Sequence, residues 1–229
     1  MTTDAIVAIN DLSVTYGPTI ALDGVSLRIP QDAGVIGLFG PNGAGKSTML
    51  RTVCGDIGRY KGTVTAPSRS NIAYLPDAPF LYSWLSVKQC SELYEHRYTD
   101  FRKEVFDEFL TGSKVTTASR VSALSKGMSE RLHLALIMSR APELYVLDEP
   151  LGGVDPLTRD HLLHLIMKYR SDHAPLILST HLINGVDQVF DNVVLISDGN
   201  VLANDSAASL RDRGDGDLEL AYKRIVSEL

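Results

Sequence analysis

The sequence predicts an α/β fold: a mixed, mainly parallel core sheet with an antiparallel β portion and an inserted α-helical portion. Three observations carry this. A glycine-rich loop, Gly40-Pro41-Asn42-Gly43-Ala44-Gly45-Lys46-Ser47-Thr48, lies between an apolar run and a helical pattern. Two later apolar runs, Leu144-Tyr145-Val146-Leu147 and Leu176-Ile177-Leu178-Ser179-Thr180, end in Asp148-Glu149-Pro150 and His181. Such continuous runs belong to strands buried on both faces of a parallel sheet. Alternating apolar residues near both ends of the chain add antiparallel pairs.

From the start, Val7 and Ile9, then Leu12, Val14 and Tyr16, then Val25, Leu27 and Ile29 alternate on short runs. Gly17-Pro18 and Asp23-Gly24 read as turns between them. Tyr16 serves either as a core or sheet residue, which composition favours, or as a platform for stacking a nucleobase.

Val35 to Phe39 reads as a buried strand, and Met49, Leu50 and Val53 share one face of a helix from Lys46 to Cys54 that Gly55 can end. The loop between them fits the phosphate-binding template G-x-x-x-x-G-K-[ST] at every fixed position. Its glycines allow a tight turn that aims successive N–H groups at an anion, and the helix N-terminus adds partial positive charge. Lys46 supplies a point charge for β- and γ-phosphates, and the Ser47 hydroxyl is placed to ligate Mg²⁺.

Gly62–Ala66 and Asn71–Leu75 read as strands flanking a polar turn, and Pro76-Asp77-Ala78-Pro79 breaks the pattern. Phe80 to Leu85 is the most aromatic stretch. Val87 to about Ser139 is helical, with Phe101, Val105, Phe106, Phe109 and Leu110 on one face and Leu132, Ala135, Leu136 and Ser139 on another. Ligands of open α/β sheets bind at the carboxyl ends of strands, where Asp148 and Glu149 fall beside the phosphate loop. Asp148 suits Mg²⁺ through water, and Glu149 suits the orientation or deprotonation of an attacking water. Leu157–Tyr169 is a helix. His181 follows a strand of the same kind, so it projects at the same edge, either as a structural residue or as a partner of the γ-phosphate. The other five histidines form no metal set. Residues 193–203 read as a hairpin turning at Asp198-Gly199, and Ser206 to Leu229 as two short helices split by Gly214-Asp215-Gly216.

The 229 residues, 44% hydrophobic and 22% charged, suit one α/β domain with a real core. A net charge of -6 gives no support for nonspecific nucleic-acid binding. Two cysteines, Cys54 and Cys90, without metal spacing fit a reducing compartment. The opening Met1-Thr2-Thr3-Asp4 lacks the regions of a signal peptide, and no stretch approaches the length needed to span a bilayer.

Order and spacing go further. Leu124-Ser125-Lys126-Gly127-Met128, at the start of a helix ahead of Asp148-Glu149, resembles the signature sequence of ATP-binding-cassette (ABC) ATPases. The resemblance covers essentially the whole chain. Tyr16 matches the family's adenine-stacking aromatic, Gly40–Thr48 its Walker A loop, and Leu144–Glu149 its Walker B strand and catalytic glutamate. Gly153-Val154-Asp155-Pro156 resembles the D-loop and His181 the switch histidine. Lys126 and Met128 replace the usual glycine and glutamine of the signature, and Asp77 replaces the Q-loop glutamine.

The resemblance implies a P-loop NTPase of ABC type in a single domain. Residues 1–77 and 140–229 form the nucleotide-binding core with its β subdomain, and 78–139 the helical signature subdomain. It implies ATP and Mg²⁺ bound through Tyr16, Asn42, Gly43, Ala44, Gly45, Lys46, Ser47, Thr48, Asp77 and Asp148. Glu149, His181 and Lys46 are then the catalytic residues. ABC domains work as head-to-tail dimers, in which Ser125 and Gly127 of one subunit face the phosphates held by the other, an identical copy or a paralogue. Leu124–Met128 and Tyr74-Leu75-Pro76-Asp77 look most like the ABC-2 group of bacterial exporter ATPases. Their permease is a separate membrane polypeptide, which places the ATPase on the cytoplasmic face of the membrane. Phe80 to Trp84 falls where such a permease docks, and we expect part of it exposed and part in the core. An importer ATPase is the second transport reading. A soluble ABC protein acting on DNA or ribosomes is disfavoured by the single cassette, the short 98–121 stretch and the acidic balance. A GTPase is disfavoured because Asn-Lys-x-Asp is absent.

Overall fold

The computed structural model describes residues 4–181 and 186–227. Met1, Thr2, Thr3 and the last two residues of the tail lie outside the described residues. Two long strands open the chain, β1 (Ala5–Tyr16) and β2 (Thr19–Pro30), followed by β3 (Val35–Phe39) and α1 (Lys46–Val53). Next come β4 (Lys61–Thr65), β5 (Ile72–Leu75), α2 (Val87–Arg97), α3 (Lys103–Leu110) and α4 (Lys126–Met138). The chain ends with β6 (Leu144–Asp148), α5 (Pro156–Tyr169), β7 (Leu176–Thr180), β8 (Asn192–Ser197), β9 (Asn200–Ser206), α6 (Ala207–Arg213) and α7 (Leu218–Ser227).

Two sheets result. A six-stranded sheet runs β5-β6-β7-β3-β8-β9, parallel except for β9, and a three-stranded antiparallel sheet runs β2-β1-β4. The period of two along a strand divides the large sheet's side chains between two cores. Val35, Leu75, Tyr145, Leu147, Leu178 and Leu195 face one, together with the buried side chains of α3 and α4. Ile36, Leu38, Tyr74, Val146, Ile177 and Val194 face the other, with α1 and the inner faces of β1 and β2. Both faces are covered, so these strands are apolar throughout. Each large aliphatic side chain removed from water contributes about 1.5–3 kcal/mol.

The mixed sheet, the antiparallel portion and the helical insertion match expectation, as do the 198–199 hairpin turn and the paired C-terminal helices. Two local readings are corrected. Asp23-Gly24 is not a turn between strands but lies inside β2, facing an irregularity of β1 between Leu12 and Val14. Gly24 (φ 62°) and Asp11 (φ 52°) both take left-handed backbone there. The Ser13 hydroxyl accepts the Gly24 N–H (3.0 Å) and the Ser26 hydroxyl the Asp11 N–H (3.1 Å). The bulge bends the ribbon without ending it. Residues 61–65 and 72–75 are strands, as expected, and belong to different sheets: β4 pairs with β1 and β5 with β6. Phe101 precedes α3 rather than lying on it, and packs from the side.

The aromatic stretch divides as expected. Leu85 is buried and Phe80 and Leu81 pack against the core. Tyr82 and Trp84 stack on each other at 5.8 Å between ring centroids and are 69% and 62% exposed. Among the described residues no helix is long and apolar enough to cross a membrane.

Candidate functional site

The glycine-rich loop leaves β3 and enters α1 in a shape that only glycine permits at two positions. A Cβ on Gly40 would lie 2.1 Å from the Ile196 carbonyl oxygen. Gly45 has φ 104°, and its Cβ would lie 2.6 Å from the Ala21 carbonyl oxygen. Neighbouring elements hold the loop: the Gly199 N–H donates to the Ala44 carbonyl (3.0 Å), and the Asp23 N–H to the Gly199 carbonyl (3.1 Å). The β8–β9 turn and β2 thereby brace the loop from one side. No side chain caps the N-terminus of α1, so its first N–H groups face outward where an anion is favoured.

Lys46 is buried and folds back on its own loop. Its ammonium donates to the Gly40 carbonyl (2.8 Å) and the Pro41 carbonyl (3.2 Å). It also stands 3.3 Å from Glu149 Oε1. That oxygen is buried and has no hydrogen-bond partner, so the contact is an ion pair without a hydrogen bond along it. Glu149 Oε2 lies 2.9 Å from His181 Nδ1. Glu149 itself has φ 49°, a left-handed conformation that costs a non-glycine residue about 1–3 kcal/mol and clusters at functional sites.

Asp148, at the end of β6, is 2% exposed and accepts the Ser179 hydroxyl proton at 2.6 Å. Burial raises its pKa above the usual carboxylate range; hydrogen bonds from Ser179 and Ser47 oppose this, and the charges of Asp77 and Glu149 add to it. A carboxylate shifted in this direction favours folding below its unfolded pKa and loses that contribution as pH rises through its folded pKa. At neutral pH the buried charge therefore costs stability. We expect Asp148→Asn to melt at a higher temperature than the parent in EDTA, while Mg²⁺-dependent turnover falls on the order of a hundredfold or more. A lower melting temperature in EDTA would contradict this assignment of the cost.

Asp148, Glu149 and His181 border a cavity of about 490 Å³ that Asn42, Asp77 and Lys126, among others, also line, a volume typical of small-molecule sites. The donor set fits the groups expected there. Uncapped helix amides and Lys46 suit phosphate, and the orphaned Glu149 oxygen suits a water or hydroxyl donor. The Ser47 hydroxyl and the Asp148 carboxylate, whose pKa Ser47 helps to lower, suit a hard cation. Among the described residues no three His, Cys, Asp or Glu side chains converge on a metal position. A cation held here would need its remaining ligands from outside the protein, such as phosphate oxygens and water.

The fold brings Lys46, Ser47, Asp77, Asp148, Glu149 and His181 together with the loop from Asn42 to Thr48. It does not bring Ser125 and Gly127 to this cavity. Ser125 is exposed and caps α4, its hydroxyl accepting the Met128 N–H at 3.4 Å. A Cβ on Gly127 would meet nothing within 4 Å. Tyr16 is not a core residue: it is 47% exposed at the tip of the β1–β2 hairpin, whose second strand touches Gly45 through Ala21 and Leu22. Sequence reasoning missed Ser179, which contacts both acidic residues. Its signal was a hydroxyl inside an apolar run, two positions before His181.

The family model for "ABC transporter" matches residues 22–152. The chain is 27% identical to the ABC-type transporter ATP-binding protein EcsA of Bacillus subtilis (strain 168), over 98% of each chain. It is 27% identical to the lantibiotic transport ATP-binding protein SrtF of Streptococcus pyogenes, over 85% of this chain and 88% of that one. A solved structure titled as the ATP binding subunit of an ABC transporter superposes with a TM-score of 0.84 at 24% identity, covering 96% of this chain and 99% of that one, which shows the same fold.

Proposed function

The chain belongs to the ABC transporter family, and from that premise we propose that it binds and hydrolyses MgATP between two head-to-tail ATPase subunits to drive a separate membrane permease, as an ABC-2 type exporter. The observation that carries the proposal is the convergence of Lys46, Glu149 and His181 beside the phosphate loop, with Glu149 3.3 Å from Lys46 and 2.9 Å from His181.

In this reading the loop amides of residues 43–48 and Asn42 cradle the phosphates, and Lys46 exchanges the Gly40 and Pro41 carbonyls for β- and γ-phosphate oxygens. Tyr16 stacks on the adenine, to which its exposed position is suited. Glu149 orients the attacking water and accepts its proton, and His181 holds the glutamate and contacts the γ-phosphate. Mg²⁺, when bound by the Ser47 hydroxyl and, through water, by Asp148, neutralises the phosphate oxygens. Asp77 borders the same space and is assigned to the nucleotide site. Ser125 and Gly127 serve the partner subunit's ATP. The open space around Gly127 supports this, because nothing in its own chain requires a glycine there.

Residues 78–139 form the signature subdomain. The exposed Tyr82–Trp84 pair suits a permease contact at the cytoplasmic face of the membrane. The likeness to a lantibiotic transport ATP-binding protein supports a transport role. The exporter subtype rests on the Leu124–Met128 and Tyr74–Asp77 sequences. The partner ATPase is a second copy or a paralogue, and nucleic acid is not a ligand.

The test is phosphate release by the purified chain. Release with MgATP that EDTA abolishes is expected, and no release above buffer would contradict the proposal.

A further inference from the structure

β6 and β7 are parallel neighbours, and their register sets Asp148 opposite Ser179. Ser179 is fully buried. Its hydroxyl donates to Asp148 Oδ1 at 2.6 Å and accepts the Glu149 N–H at 3.0 Å. One group therefore binds two consecutive acidic residues in opposite senses. The donated proton holds the Asp148 carboxylate in place at the end of β6. The accepted bond, with a second from the Glu149 N–H to the Ser179 carbonyl (3.2 Å), turns the chain into the left-handed conformation of Glu149. That turn points the Glu149 carboxylate at Lys46 and His181 rather than along the strand. A buried side chain that both donates and accepts can do this, and a short hydroxyl does it from a single atom.

We propose that Ser179 is the positioning residue of the hydrolytic site, setting the Asp148 carboxylate for the cation and the Glu149 carboxylate for the attacking water. This rests on the MgATP-hydrolysing reading above. The residue is not among those lining the cavity and acts through its two neighbours. Misplacement by about 1 Å costs a catalytic group on the order of a hundredfold.

The near-isosteric pair Ser179→Thr and Ser179→Val separates the hydroxyl from packing, because both add bulk at the same buried point. Steady-state turnover, titration of a fluorescent ATP analogue with Mg²⁺ and with EDTA, and thermal melting are read together. The threonine variant is expected to turn over near the parent rate. The valine variant is expected to lose on the order of 10- to 100-fold in kcat, to bind nucleotide as the parent does in EDTA, and to lose most of the affinity that Mg²⁺ adds. Two results would overturn the role: a valine variant with parental kcat and parental Mg²⁺ gain, or equal losses in both variants, which would make the position one of packing alone. A parent chain without phosphate release would instead overturn the hydrolytic reading, and is seen before either variant is measured.

Discussion

Glu149→Gln is expected to bind ATP with nearly parental affinity and to lose turnover on the order of 10²–10⁴-fold, the usual value of a positioned general base. The substitution is nearly isosteric and keeps an oxygen facing Lys46 or His181. The orphaned, buried Oε1 has no donor to lose, so packing is little disturbed. The 3.3 Å ion pair with Lys46 is lost, which frees the ammonium to leave for a phosphate. Affinity is therefore expected to hold or rise slightly while kcat collapses. Single-turnover phosphate release beside nucleotide titration checks both halves. Parental turnover would remove Glu149 from the mechanism. Lost affinity with retained kcat would make it a binding residue instead.

Ser125→Arg carries the second large effect. Ser125 is not among the residues lining its own chain's cavity, so a bulky cation there is expected to leave binding by the monomer intact. The lost N-cap costs roughly 1 kcal/mol, which a domain of this size tolerates. The expected result is ATP affinity near the parent's, no ATP-dependent dimer in light scattering, and turnover reduced on the order of 10²–10³-fold, as when a donor is removed from a developing charge. Introduced into Glu149→Gln, which should hold the dimer closed, it should return the protein to monomer. Dimerisation unaffected by the arginine would contradict a signature acting across the interface.

Much of this site was legible in the sequence because its parts are local. The phosphate loop is a contiguous motif, and each buried strand announces itself by an unbroken apolar run that ends at the residue it delivers. Long-range pairing was not legible. Asp23-Gly24 carries the composition of a turn, and only the opposing Asp11–Ser13 segment of β1, held through Ser13 and Ser26, makes it a bulge. Alternation put Tyr16 in phase with core residues, yet at the hairpin tip there is no second layer to cover it. Ser179 could be weighed only after the register of β6 and β7 set it opposite Asp148. The resting position of Lys46 on the Gly40 and Pro41 carbonyls depends on the tight loop geometry, which no residue pattern encodes.

The central claim, that two such surfaces share each nucleotide, is met most directly by a crystal structure of Glu149→Gln with MgATP. The expected result is a two-fold dimer in which the γ-phosphate lies between Lys46 of one protomer and Ser125 and Gly127 of its partner. MgATP on Lys46 in a monomer, with Ser125 and Gly127 open to solvent, would contradict it.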